Sequence, residues 1–349
     1  MWHNGGVKAK SARAAIERAP VFLLIAASIF SSCGNPAGPQ PPGPDDGQGY
    51  RYYSVGDSGD RSTACSPGLA LMGGGTDVDA AFSWLIQKSG GGDFVVIRAS
   101  GTDAYNPYVY GLGQVDSVET LVVDKRSGAD APFVADRIRK AEALFIAGGN
   151  QADYIRIWNG TALQEALEDS IRRGVPMGGT SAGLAVLGEF VFSAFRGTVY
   201  SNEALANPYD HRVTLARDFL SVPALTGVIT DSHFVSSDRM GRLVVFLARI
   251  VKDGWASQAK GIGVDEGTAL LVEPDGTVSA SGSGAAYFVL ADRVPDVCAA
   301  GIPLTFAGLQ VHKVRTGGSF NILQWQGAGP PYTVSAAAGA LSSSTGSIY

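Results

Sequence analysis

Val175-Pro176-Met177-Gly178-Gly179-Thr180-Ser181-Ala182-Gly183-Leu184-Ala185-Val186-Leu187 joins a short apolar segment to a helical pattern through two glycines, a threonine and a serine, and this junction decides the fold. Its centre, Gly179-Thr180-Ser181-Ala182-Gly183, fits G-x-S-x-G. A serine on such a strand-to-helix turn needs small residues two before and two after it, because the turn is strained and the two backbones pass close together. Ser181 would then stand at a helix N-terminus, where the dipole favours negative charge and the N–H of Ala182 can face an oxyanion. The same residues also suit a glycine-rich βα turn in which Ser181 only caps the helix or touches a phosphate.

Outward from this junction, short apolar runs alternate with amphipathic ones from Leu69 onward. That alternation is the mark of βαβ units, and it predicts an α/β fold: a doubly wound, mostly parallel sheet flanked by helices. The runs at 69–72, 94–98, 119–124 and 143–147 read as buried strands, and 78–88, 131–140 and 161–173 as helices, the last closing on Gly174. Later strands at 225–230, 261–265 and 268–273 bracket a helix over 239–252, after which pairing turns antiparallel. Pro274-Asp275-Gly276 reads as a hairpin turn from which 286–290 returns. Residues 304–323 read as one or two edge strands, and 326–349, small and polar, as a flexible tail.

A serine nucleophile needs a base, and the chain has four histidines. His3 lies in the leader, His211 in a polar loop and His312 in a late edge strand. His233 follows Val228-Ile229-Thr230-Asp231-Ser232, at the carboxyl end of a strand, where open α/β sheets place their sites. A third group should fix the imidazole tautomer. Glu266 lies just past another strand end, with Asp265 and Asp231 as rivals that could instead cap a turn or balance Arg239 and Arg242. The order Ser, His, Glu differs from the Ser, acid, His order of α/β-hydrolases, whose esterases would need an acid between residues 190 and 232.

Four blocks in this order carry a family likeness: Met72-Gly73-Gly74-Gly75, Phe145-Ile146-Ala147-Gly148-Gly149-Asn150-Gln151, Gly178 to Gly183, and Asp231 to Arg242 together with Gly263-Val264-Asp265-Glu266. On them the chain resembles the cyanophycinase and aspartyl dipeptidase group, peptidase family S51, relatives of class I glutamine amidotransferases. The resemblance implies Ser181 as nucleophile, His233 as base, Glu266 as its orienting acid, and Gly149 and Ala182 as oxyanion donors. It implies Gln151, Asp231, Arg239 and Arg242 around the substrate, which would be an aspartyl peptide or cyanophycin-like polymer, with β-Asp-Arg as the released unit. It further implies a homodimer, with no cofactor and no metal. The family carries Gln before the histidine and Arg four after it, whereas this chain has Ser232 and Ser237. A hydroxyl cannot clamp a carboxylate as a guanidinium does. A catalytically inactive relative that binds ligand at the cell surface is the competing expectation.

The chain ends add localisation. Lys8, Lys10, Arg13 and Arg18 precede an apolar run over 19–30, so residues 1–33 read as an export signal. Ser31-Ser32-Cys33-Gly34 resembles a bacterial lipobox, which predicts lipid attachment at Cys33 and anchorage to the cell envelope; an ordinary cleaved signal would leave the enzyme secreted or periplasmic. The Pro- and Gly-rich stretch over 34–60 reads as a tether, and 61–325 as the peptidase domain. Cys65 and Cys298 would form a disulfide or stay as two buried thiols. A formal net charge of −5 without any basic run argues against a nucleic-acid partner. Gly73-Gly74-Gly75 lacks the G-x-G-x-x-G spacing and reads as a tight turn beside the site, not a nucleotide cradle.

Overall fold

Residues 47–57 and 59–349 are described by a computed structural model; the expected signal, Cys33 and the start of the tether lie outside the described residues. In chain order the first strands are β1 (Tyr50–Gly56), β2 (Leu69–Met72), β3 (Asp93–Arg98), β4 (Ser117–Val123), β5 (Ala143–Ile146) and β6 (Met177–Thr180). β4, β3, β5, β6 and β2 lie side by side and all run parallel. Their near-continuous apolar runs are what a sheet covered on both faces requires. Alternate residues face opposite layers. Val95 and Ile97 pack with α4 (Pro132–Lys140) and α6 (Ala162–Arg173), while Phe94 and Val96 pack with α1 (Asp79–Lys88). The expected doubly wound α/β fold is present.

The register matters for the site. Met72 pairs with Thr180, and Ile146 with Gly179, so β2, β5 and β6 end level and their following loops emerge at one edge.

The later strands do not extend this parallel set in one direction. β7 (Phe190–Phe192), β8 (Leu215–Arg217), β9 (Val228–Asp231) and β10 (Ala259–Val264) belong to a second sheet, whose parallel centre is β7, β9 and β10. β11 (Thr268–Val272) returns to the first sheet, antiparallel to β2. The strand coming back from the turn at Gly276 is β12 (Thr277–Gly282), not 286–290. That later run is part of β13 (Ala285–Ala291), which pairs with β10 in the second sheet. Periodicity identifies a strand but not its partner, which accounts for the misassigned hairpin.

β14 (Val297–Ala299) and β15 (Ile302–Arg315) follow, then β16 (Ser319–Asn321), β17 (Gln326–Gly327), β18 (Tyr332–Ala337) and β19 (Ala340–Ser343). β15 is therefore no edge strand: it lies between β13 and β18. The expected flexible tail is corrected in the same way. Val334 and Ala336 alternate inward and are buried on β15, and the hairpin turns at Ala338 and Gly339, both at positive φ. Small side chains give a faint apolar signal, yet they suffice to cover an edge that would otherwise be unpaired. At the other end, Tyr50–Gly56 pairs antiparallel along the whole of β4, so the tether does not extend to residue 60. Cys65 and Cys298 are both free thiols, which removes the disulfide.

The second sheet is packed by α9 (Met240–Lys252), apolar around most of its circumference. Shorter helices complete the described residues: α2 (Tyr105–Tyr110), α3 (Arg126–Ala129), α5 (Gln151–Trp158), α7 (Ala182–Ala185) and α8 (Ser201–Ala206).

Candidate active site

β6 ends at Thr180, and Ser181 turns the chain directly into α7 with φ 54° and ψ −115°. The N–H of Ser181 donates to the carbonyl of Met72 (3.1 Å), and its own carbonyl accepts from the N–H of Ala185 (3.0 Å). A Cβ on Gly179 would lie 2.6 Å from the backbone of Gly183, and a Cβ on Gly183 would lie 1.9 Å from the carbonyl oxygen of Ile146. The small residues flanking Ser181 are thus required by backbone-to-backbone contact, as the motif predicts.

His233 arrives from the second sheet. It follows β9, has φ 46°, and its N–H donates to the Gly73 carbonyl at 2.8 Å, tying the end of β9 to the end of β2. The next residue anchors the turn: Phe234 is fully buried, its N–H donates to Val264 O (3.2 Å), and its carbonyl accepts from Arg239 N–H (2.9 Å). The ring leaves no room for a side chain at position 263, where a Cβ would come within 2.4 Å of it. The imidazole then stands with Nε2 2.8 Å from Ser181 Oγ and Nδ1 2.6 Å from Glu266 Oε1. Glu266 sits in the link between β10 and β11, where the chain crosses from the second sheet to the first. The hydroxyl, imidazole and carboxylate therefore come from one sheet, the other sheet, and the crossing between them.

The electrostatics agree with this series. The hydrogen bond with His233, followed by one with Ser236, holds the Glu266 carboxyl below its ordinary range, so it is ionised at neutral pH and can orient the ring. Its rivals are occupied. Asp265 accepts from the N–H groups of Val235 (3.1 Å) and Ala285 (3.0 Å). Asp231 is buried and accepts from Arg242 Nε (2.8 Å), Arg242 Nη2 (2.5 Å) and Arg239 Nη1 (3.3 Å). His211 is exposed beside Asp210, and His312, on β15, packs against Phe320 of β16. Glu266→Gln should lower kcat about a hundredfold, toward the low end for general acid–base catalysis because the group is half exposed. Steady-state kinetics within twofold of the parent would remove the acid from the series.

Ser181 and His233 open onto a cavity of about 390 Å³, which Gly149, Gln151, Arg239 and Arg242 also line. Asp231 does not line it. That residue sits behind the two arginines and holds them, which corrects its expected place against the substrate; a buried carboxylate between two guanidinium groups is already satisfied. Gln151 Nε2 donates to Phe192 O at 3.3 Å. Arg239 uses Nη1 toward Ser232 O (2.8 Å) and Asp231, while its Nε and Nη2 make no hydrogen bond among the described residues. The amide N–H groups of Gly149 and Ala182 likewise have no acceptor there. Tyr154, whose hydroxyl donates to Ala147 O (2.8 Å), lies where a Cβ on Gly149 would fall, at 2.6 Å from that hydroxyl.

Sequence reasoning missed Arg156, Phe192, Phe195 and Thr198, which line the same cavity. Arg156 lies 4.9 Å over the Phe195 ring and donates to its carbonyl at 2.7 Å. Phe195 falls in an irregular stretch after β7, where no periodicity marks it. None of the described lining residues is Asp or Glu.

Fold and site together define a class: an α/β protein with a hydroxyl, an imidazole and a carboxylate hydrogen-bonded in series at the carboxyl ends of its strands. Residues 108–279, just under half of the chain, match the model of peptidase family S51. Cyanophycinase of Trichormus variabilis is 28% identical over 214 residues, covering 60% of this chain and 66% of that protein. Cyanophycinase of Synechococcus elongatus is 29% identical over 213 residues, covering 60% and 61%. The matches thus span less than two thirds of those relatives' own length. A crystal structure of a peptidase from an acI-B1 Actinobacterium superposes with a TM-score of 0.51 at 18% identity, covering 74% of this chain and 98% of that one, a likeness of fold alone.

Proposed function

We propose that this chain is an exported serine exopeptidase that hydrolyses aspartyl peptide bonds, with cyanophycinase-like release of β-Asp-Arg dipeptides as the leading substrate reading. The observation that carries it is the series Ser181 Oγ, His233, Glu266 at 2.8 and 2.6 Å. Ser181 Oγ attacks the amide carbonyl while His233 Nε2 takes its proton; the tetrahedral oxyanion is received by the amides of Gly149 and Ala182. His233 then gives the proton to the leaving amine, and water, activated by the same imidazole, resolves the acyl-enzyme. The unengaged Nε and Nη2 of Arg239 suit a substrate carboxylate, since a guanidinium fork binds carboxylates bidentately. The leader and the run ending in Cys33 support export and lipid attachment.

A second reading, an α- or β-aspartyl dipeptidase of other specificity, is favoured by one feature of the cavity. Its described lining residues include Arg156, Arg239 and Arg242 but no carboxylate side chain, and so offer no counter-ion for a substrate arginine. Under the leading reading the arginine must lie outside the cavity. Hydrolysis of cyanophycin and of a panel of α- and β-aspartyl dipeptides, with Ser181→Ala and Arg239→Met alongside, separates the readings. Activity is expected on at least one substrate, lost in Ser181→Ala, with KM raised about tenfold or more in Arg239→Met, the cost of a charge-assisted hydrogen bond. Hydrolysis of none of them sinks the substrate proposal, and unchanged labelling of Ser181→Ala by a fluorophosphonate sinks the nucleophile.

A further inference from the structure

α9 starts at Met240 without help from its own cap residue. Arg239 makes no capping bond, because a guanidinium has only donors, and here they are turned back to Ser232 O and Asp231. The first N–H groups of a helix have no partner within it and need acceptors from elsewhere. Two hydroxyls distant in sequence supply them. Ser201 Oγ accepts from Arg242 N–H at 3.1 Å, and the hydroxyl of Tyr349 accepts from Met240 N–H at 3.0 Å. The same Tyr349 hydroxyl donates to Asp238 Oδ1 at 2.7 Å. One oxygen thus bridges the two residues on either side of Arg239, and Asp238 is itself held at φ 47°.

The ring of Tyr349 reaches the other end of the same turn. It stands edge-on to Phe234 (6.0 Å between centroids) and to Tyr287 (5.7 Å). Phe234 is the residue next to His233, and its carbonyl closes the turn on Arg239 N–H. Burial, the largest influence, pushes the Tyr349 phenol up, so the hydroxyl keeps its proton and can donate and accept together.

We propose that Tyr349 is a positioning residue for the Ser232–Arg239 turn: its ring packs the His233 end, its hydroxyl locks the Arg239 end, and the strand hairpin β18–β19 delivers it there. The proposal rests on the serine-peptidase reading above. It explains how α9 can start after an arginine, which has no acceptor to offer its first N–H groups, and why a segment outside the family match is folded against this sheet.

The test separates positioning from fold stability. In Tyr349→Phe the ring stays and the hydroxyl goes. The second-order rate of fluorophosphonate inactivation, which reads the Ser181–His233 pair without needing the natural substrate, should fall about tenfold, equal to about 1.4 kcal/mol. Its Tm should stay within about 2 °C of the parent. Asp238→Ala removes the other end of the same bond and should give a similar loss; it also serves if Tyr349→Phe fails to fold. Thr345→Ala, in the turn that follows β19, should label at the parent rate. Inactivation within twofold of the parent in both Tyr349→Phe and Asp238→Ala overturns the proposal while leaving the peptidase reading intact. A parent chain that the probe does not label overturns both.

Discussion

Ser181→Gly and Ser181→Ala should both lose at least about 10⁴ in kcat, and the glycine variant should melt about 1–2 °C above the alanine variant. The first half follows from chemistry: without Oγ there is no acyl-enzyme, and what remains is binding and oxyanion stabilisation. The second half follows from the backbone. At φ 54° and ψ −115° Ser181 occupies a region that costs a residue with a Cβ about 1–3 kcal/mol. Alanine keeps that cost and glycine removes it, less about 0.5–1 kcal/mol for the greater freedom of glycine in the unfolded chain. The difference of about 1 kcal/mol corresponds to about 1–2 °C for a chain of this size. Both variants lose the 2.8 Å bond to His233 equally, so it cancels from the comparison. Turnover surviving in either variant would remove Ser181 as nucleophile. Alanine melting at or above glycine would mean that the turn stores no strain.

Residues whose role depends on their immediate neighbours were readable from the sequence. Gly179 is small because the backbone of Gly183 passes within its Cβ's reach, a constraint local to the G-x-S-x-G turn, whereas Gly183 is small because the Ile146 carbonyl on β5 lies 1.9 Å from where its Cβ would fall. The parallel strands announced themselves because burial on both faces leaves runs such as Phe94 to Ile97 wholly apolar. His233 could be selected because few histidines compete. What could not be read depends on partners far along the chain. Nothing at 286–290 says that it pairs with β10 and not with β11, and this is why the two sheets looked like one. Nothing at Asp231 distinguishes a carboxylate facing substrate from one enclosed by Arg239 and Arg242. Tyr349, in a stretch of small polar residues, gives no hint that it reaches residues more than a hundred positions earlier. Each of these misreadings concerns tertiary partners, not local conformation.

Gly74→Ala tests the least obvious part of the constellation, the glycine that lies over the imidazole. Gly74 has φ 88°, and its carbonyl is fixed by the N–H of Gly267 at 2.9 Å. A Cβ there would lie 2.5 Å from His233 Nε2 and 3.1 Å from Ser181 Cβ, so the ring must leave its bond to Oγ. The base contribution would then be lost, about 10³ in kcat, since positioned proton transfer supplies roughly 10²–10⁴. The left-handed backbone adds about 1–2 kcal/mol of destabilisation. Gly75→Ala provides the comparison. It has φ 72°, so the backbone penalty is similar, but its Cβ would meet Glu266 Cβ at 3.0 Å and not the imidazole. Similar Tm losses in the two variants, with fluorophosphonate labelling abolished only in Gly74→Ala, are the expected pattern. Activity that falls equally in both, in step with stability, would show that Gly74 serves the turn and not the space His233 needs.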